Sequence, residues 1–317
     1  MIRNLALIAC LMAPAADADV AVKLEAAFRG WVAEVGAERA TMTIWRSGVE
    51  QGNAAVGMEP DTPVELASLS KAVTGLCAAH LIQTGVWTKQ TTSREVLGKG
   101  PADLTVEALL THSAGIGPDQ TQVLMALWLD TEEDRAVLAT ETALKRKEQT
   151  ATKGSYAYNN ENYAVLGAMI SAQMGTPHHR YCANAVLIPA GVTTAQPSAR
   201  TGGMASWGGW TMSVQDYARL MYWAYGPGGM IGRAPDRWPQ ADMGGGAYYG
   251  VGMTQREFRG AMNYWHFGLL CFGDKLQAGS YAVSWMGDWS VVVAYDRCTD
   301  WEDMVALDSV LAQAVFQ

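Results

Sequence analysis

Near residue 247 the hydrophobic pattern of this chain changes period, and that change constrains its fold more than any other feature. Upstream, long stretches repeat apolar residues at helical spacing. Downstream, β-rich runs at residues 248–253, 265–272, 281–285 and 289–295 follow one another across short turns, as consecutive antiparallel strands do. Residues 299–317 then close as an amphipathic helix. The opposite end has a similar make-up. Residues 20–35 carry a helical apolar pattern (Val22, Leu24, Phe28, Trp31, Val32, Val35), and residues 40–45 and 54–58 read as a hairpin. Between the two ends lie helical segments at 68–84, 105–110, 120–146, 162–174 and 214–224. Strands at both ends and helices between them predict an α+β fold. One antiparallel sheet, flanked by the terminal helices, is drawn from about residues 20–60 and 247–317, an all-helical lobe from about 61–246, and the site lies between them.

Apolar residues make up 49% of the 317, ample for a large core. The formal net charge of -8, with no Lys/Arg run, argues against a nucleic-acid partner, because phosphate neutralisation needs a clustered basic surface. Residues 1–18 read as a secretory signal. Arg3 supplies the positive start, residues 5–12 the apolar stretch, and Ala13-Pro14-Ala15 or Ala16-Asp17-Ala18 the cleavage site. Leu7-Ile8-Ala9-Cys10 is an alternative lipoprotein-like reading, but its apolar stretch is short. No later stretch reaches the roughly 18 to 20 apolar residues of a membrane span, so a periplasmic or secreted protein is expected.

Export permits disulfides, and Cys77, Cys182, Cys271 and Cys298 remain in the mature chain. Cys77 and Cys182 sit in apolar helical patterns and read as buried thiols. Cys271 and Cys298 close two strand-like runs and are the one pair suspected of bonding. Against it, strands separated by one neighbour lie roughly 9.5 Å apart. Neither the cysteines nor the adjacent His178-His179 have metal-ligand spacing, so no metal and no cofactor are expected.

Three constellations carry chemistry. Ser68-Leu69-Ser70-Lys71 puts a hydroxyl at a helix start and an amine one turn on, close enough to meet. Tyr158-Asn159-Asn160 offers a phenol, which a neighbouring cation can drive toward phenolate, and an amide that both donates and accepts. Trp265-His266-Phe267-Gly268-Leu269 opens a strand. Gly268 there admits close approach to the backbone, and the next amide, that of Leu269, can point at a carbonyl oxygen. Each has a structural alternative: a helix cap at Ser68, an Asn-rich cap at 158–160, a core histidine at 266.

Taken in order, Ser-x-x-Lys on a helix, Tyr-x-Asn on a loop and His-x-Gly on a strand resemble the class C β-lactamase, DD-peptidase and esterase family of serine hydrolases. Leu109-Leu110-Thr111-His112-Ser113-Ala114-Gly115 and the run from Asn160 to Gly167 resemble further phrases of that family, over residues 40–296. The resemblance implies a β-lactamase-like fold. It makes Ser68 the nucleophile, Lys71 and Tyr158 the handlers of its proton, Asn160 a contact to the acyl side chain, and the Ser68 and Leu269 amides the oxyanion hole. His266 stands where β-lactamases usually carry Lys, and Phe267 where they usually carry Thr; both changes weaken carboxylate recognition. Residues 116–153 carry no recognisable phrase. The expected activity is acyl transfer through a Ser68 ester on a small ester, amide or D-amino-acid peptide, with a β-lactamase or DD-carboxypeptidase as the alternative. A noncatalytic envelope binding protein is the rival from another class. Retention of Ser68, Lys71 and Tyr158 together argues against it.

Overall fold

The computed structural model describes residues 15–317 except 102, 103, 132, 147 and 148. Helix α1 (Ala15–Val35) leads into the hairpin of β1 (Ala40–Arg46) and β2 (Val49–Val56). A short strand β3 (Val64–Glu65) and a 3₁₀ turn (Ala67–Leu69) precede α2 (Ser70–Gln83). The helical lobe continues with α3 (Ser93–Leu97), α4 (Val106–Leu110), α5 (Thr121–Leu124), α6 (Ala136–Lys145), α7 (Asn160–Met174) and α8 (His178–Cys182). Strands β4 (Gln196–Pro197) and β5 (Trp210–Met212) pair with β3 in a small ribbon, and α9 (Val214–Tyr225) follows. The chain ends with β6 (Ala241–Gly244), β7 (Ala247–Gly250), β8 (Met253–Phe258), β9 (Ala261–Cys271), β10 (Gln277–Trp285), β11 (Trp289–Tyr295) and α10 (Trp301–Phe316).

The main sheet has eight antiparallel strands in the order β2-β1-β11-β10-β9-β8-β7-β6. The first hairpin joins the C-terminal strands through β1 on β11, from Ala40 opposite Tyr295 to Arg46 opposite Trp289. Trp289-Ser-Val-Val-Val-Ala-Tyr295 is buried at every position, because both faces of β11 are covered. Leu24 and Phe28 of α1 and Leu307 and Leu311 of α10 pack on one face. Each such fully buried side chain contributes roughly 1.5–3 kcal/mol relative to leaving it in water. The other face packs into the core that runs on through the helical lobe.

Several sequence expectations change. The segment up to residue 14, with most of the proposed leader, lies outside the described residues. Helix α1 begins at Ala15, and Asp17 in its first turn pairs with Arg46. The expected helix at 120–146 is broken. Asp130 takes a left-handed φ of 59°, and its N–H donates to Arg200 O at 2.7 Å instead of to a helical carbonyl. The strand-like run at 248–253 is two strands around a Val251-Gly252 turn with φ values of 50° and 85°. The sheet region starts at β6 rather than at residue 247. Cys77 and Cys182 are bonded to each other, not free. Their helical patterns signal burial, but that α8 brings Cys182 to a Cα separation of 5.6 Å from Cys77 is a tertiary fact. Cys271 and Cys298 also pair. The spacing objection fails because Cys298 lies beyond the end of β11, in a turn that crosses the start of β10, where its N–H donates to Gln277 Oε1 at 3.0 Å.

Candidate active site

The site begins at Ala67, whose φ of 49° is a left-handed conformation costing about 1–3 kcal/mol in a non-glycine residue. That kink lifts Ser68 out of the strand-to-helix path and into a cleft of about 700 Å³ between the helical lobe and β9. Ser68 does not cap α2: neither the 3₁₀ turn nor α2 has a side-chain N-cap. Its Oγ instead accepts from Lys71 Nζ at 3.2 Å. Ser70 faces away, its Oγ accepting from the Trp210 N–H at 3.1 Å.

Lys71 is fully buried and also donates to the Trp207 carbonyl at 2.9 Å. Burial pulls its ammonium down to about 7, only partly countered by the negative charge of Asp119. Its Nζ lies 4.8 Å from the centre of the Tyr158 ring. The Tyr158 ring is 40% exposed where it lines the cleft. Burial of its phenol raises the pKa well above the usual range, while a hydrogen bond with Ser68 acts the other way. Burial thus opposes the expected drive of the phenol toward phenolate, and Lys71 is the group whose charge burial disfavours.

The capping reading of the Asn-rich turn holds at Asn159, and Asn160 faces the cleft. Asn159 caps α7, its side chain accepting from the Glu161 N–H at 2.7 Å. Asn160, one position on, lines the cleft. Its N–H donates to Asp119 Oδ2 at 3.0 Å and its Nδ2 to Thr121 Oγ1 at 3.0 Å, leaving Oδ1 buried without a partner. An unpaired buried acceptor is costly.

On the opposite wall β8 pairs with β9 only as far as Trp265, so β9 from His266 onward has a free edge. Gly268 packs against the nucleophile turn: a Cβ there would lie 2.8 Å from Leu66 O and 2.9 Å from Ser68 N. Leu269 also lines the cleft. His266 is buried and closed off. Its Nδ1 lies 2.6 Å from the Phe267 carbonyl, which can only accept, so Nδ1 carries the proton and Nε2 accepts from the Tyr249 hydroxyl at 3.2 Å. Burial and the neighbouring Lys71 charge lower its pKa to about 3, so it is neutral at ordinary pH. Phe267 stacks on Tyr281, centroids 4.3 Å apart. His112 is buried beside the site, its ring 4.4 Å from that of Tyr158 and 4.6 Å from that of Tyr249.

The structure thus brings Ser68, Lys71, Tyr158, Asn160, His266, Gly268 and Leu269 to one cleft. Asp119, Trp207 and Tyr249 belong with them and were missed. Asp119-x-Thr121, a side chain bonding to the backbone two residues on, is a local turn signal within 116–153 that could have marked Asp119. Nothing in sequence signals the Trp207 carbonyl. Among the described residues no group of three or more His, Cys, Asp or Glu is arranged to hold a metal ion, and no helix is long and apolar enough to cross a membrane.

Comparisons with known proteins bear on the fold. The family model described as Beta-lactamase matches residues 7–304. No curated protein matches the chain. Among solved structures, D-amino acid amidase from Ochrobactrum anthropi SV3 superposes with a TM-score of 0.75 at 14% identity, over 94% of this chain and 98% of that one. A class C beta lactamase from Rhodobacter sphaeroides gives 0.74 at 15% identity, over 93% and 99%. The octameric penicillin-binding protein homologue from Pyrococcus abyssi gives 0.72 at 19% identity, over 92% and 77%. At these identities the likeness is one of fold.

Proposed function

This chain belongs to the β-lactamase family, and from that premise we propose that it is a serine hydrolase that forms an acyl-enzyme on Ser68 with small esters, amides or D-amino-acid peptides. The observation that carries the reading is the 3.2 Å contact between Ser68 Oγ and a Lys71 whose pKa is pulled to about 7. Neutral Lys71 accepts the Ser68 proton as Oγ attacks the carbonyl carbon, and the carbonyl π pair moves to oxygen, facing the Ser68 and Leu269 amides. Collapse breaks the bond to the leaving group, which takes a proton through Tyr158, itself reprotonated by Lys71. Water then attacks the Ser68 ester, giving up its proton to the same pair and releasing the acid. Asn160, on the cleft wall, is the side chain assigned to the acyl half.

Esters and amides are favoured over β-lactams by one observation: His266 is neutral and Phe267 aromatic, so these two side chains offer a carboxylate neither a cation nor a hydroxyl. A fluorophosphonate should add mass to the Ser68 peptide and fail to do so in Ser68→Ala. Labelling that survives the change removes the nucleophile assignment, and a wild type that takes no label favours a binding module. We also propose export, on the leader-like residues 1–18 and the two disulfides. The mature N-terminus, read by mass spectrometry, decides it: cleavage after Ala15 keeps the Asp17–Arg46 pair, and an uncleaved cytoplasmic chain refutes export.

A further inference from the structure

The cleft does not stop at Ser68. It passes over the free edge of β9 to the sheet's other side and ends against α10, where Phe267, Trp301, Met304 and Val305 line it. Trp301 is 64% exposed and Val305 40%, and Met243 adds a third exposed apolar side chain on the same cavity. Large apolar side chains left in water along one groove mark a surface made to be covered. The rings are held in place: Phe267, stacked on Tyr281, meets Trp301 edge-on at 5.8 Å. The charges bordering the compartment are already engaged. Asp308 accepts from the Tyr281 hydroxyl, and the Arg256 guanidinium lies 5.6 Å over the Trp265 ring.

We infer that this α10 compartment receives the leaving half of the substrate, and that this half is an aromatic or long alkyl alcohol or amine. The inference rests on the hydrolase reading and extends it. On that reading Asn160, which lines the helical-lobe wall, meets the acyl half, so the group expelled lies on the opposite side of Ser68, toward Trp301. With Phe267, Trp301, Met304 and Val305 lining it, the compartment suits rings and methylenes.

The test uses the whole mature protein. The ratio of kcat/KM for 1-naphthyl acetate to that for ethyl acetate should fall about tenfold in Trp301→Ala and recover in Trp301→Phe. Binding of 1-naphthol to a Ser68→Ala protein, read by calorimetry, should weaken about tenfold when Trp301→Ala is added. Unchanged ratio and affinity overturn the inference, as does a shift confined to the acyl series of methyl butyrate against methyl acetate. If Trp301→Ala instead converts a dimer to a monomer in sedimentation, a second copy covers this face and the inference is overturned. If wild type hydrolyses no ester yet binds naphthol in a Trp301-dependent way, the hydrolase reading fails and the apolar compartment stands.

Discussion

The helical-lobe wall of the cleft holds Lys71, Tyr158 and Asn160 through hydrogen bonds and burial, whereas the wall of β9 and α10 offers a neutral histidine, a stacked phenylalanine and an exposed tryptophan. On the first wall every polar group has a named partner or an unmet need, and one buried cation has its pKa moved toward neutrality. On the second, rings and apolar side chains predominate. On the proposed reading the contrast separates bond-making from selectivity: the first wall would run acyl transfer, and the second would narrow its substrates.

The largest expected effect tests the first wall. Lys71→Ala and Tyr158→Phe should each lower kcat/KM by on the order of 10² to 10⁴, and the double variant should lose little more than the worse single change, because one proton is handled by both. Multiplicative losses would break the wall into two independent parts. Next comes the seam between the walls. Gly268→Ala forces a Cβ to within 2.9 Å of Ser68 N, and a shift there should cost about 100-fold in fluorophosphonate labelling rate while the folded protein persists in a thermal melt.

The second wall should respond in selectivity. A His266→Lys, Phe267→Thr double variant should gain about tenfold on a chromogenic cephalosporin relative to a short ester, since a hydrogen bond to a charged group is worth about 1.5–3 kcal/mol. Efficient cephalosporin turnover by wild type would remove the contrast. The mildest test is pH. Lys71 must be neutral to accept a proton, and its pKa is lowered to about 7, so kcat/KM should drop about tenfold per unit below that value and level off above it. His266, with a pKa of about 3, adds no step between pH 5 and 8. A profile flat across that range would show that Lys71 is not the base.

Much of this was legible in sequence because it is local. Ser68 and Lys71 are one helical turn apart, Tyr158 and Asn160 flank a cap, and the β-rich runs after residue 247 announce their own pairing through short turns. What stayed hidden depends on which elements meet. The depressed pKa of Lys71 comes from burial among distant segments, and its second acceptor, the Trp207 carbonyl, lies 136 residues away. His266 reads in sequence as a weakened substitute for lysine. Only the Tyr249 hydroxyl, from β7 two strands away, closes its second nitrogen. The Cys77–Cys182 bond was lost for the same reason, since α2 and α8 each show an inward face but not the partner it faces. The helix expected at 120–146 failed because loop carbonyls at Arg200 and Gly203 take the N–H groups of Asp130 and Arg135.

The pairing of β1 with β11 sets an order of events during synthesis. Residues 40–46 leave the ribosome early and have no neighbour on that side until residues 289–295 follow. Every side chain lining the helical-lobe wall is made long before then. A chain halted just after Leu269 would contain Ser68, Lys71, Tyr158, Asn160 and His266 and would lack β10, the strand that holds β9 in register against the nucleophile turn. Long-range pairings of this kind form slowly, because the loop between the partners must close before any contact repays it. On the proposed reading, a chain without its last strands would hold the reacting side chains but not the sheet that sets β9 against the nucleophile turn.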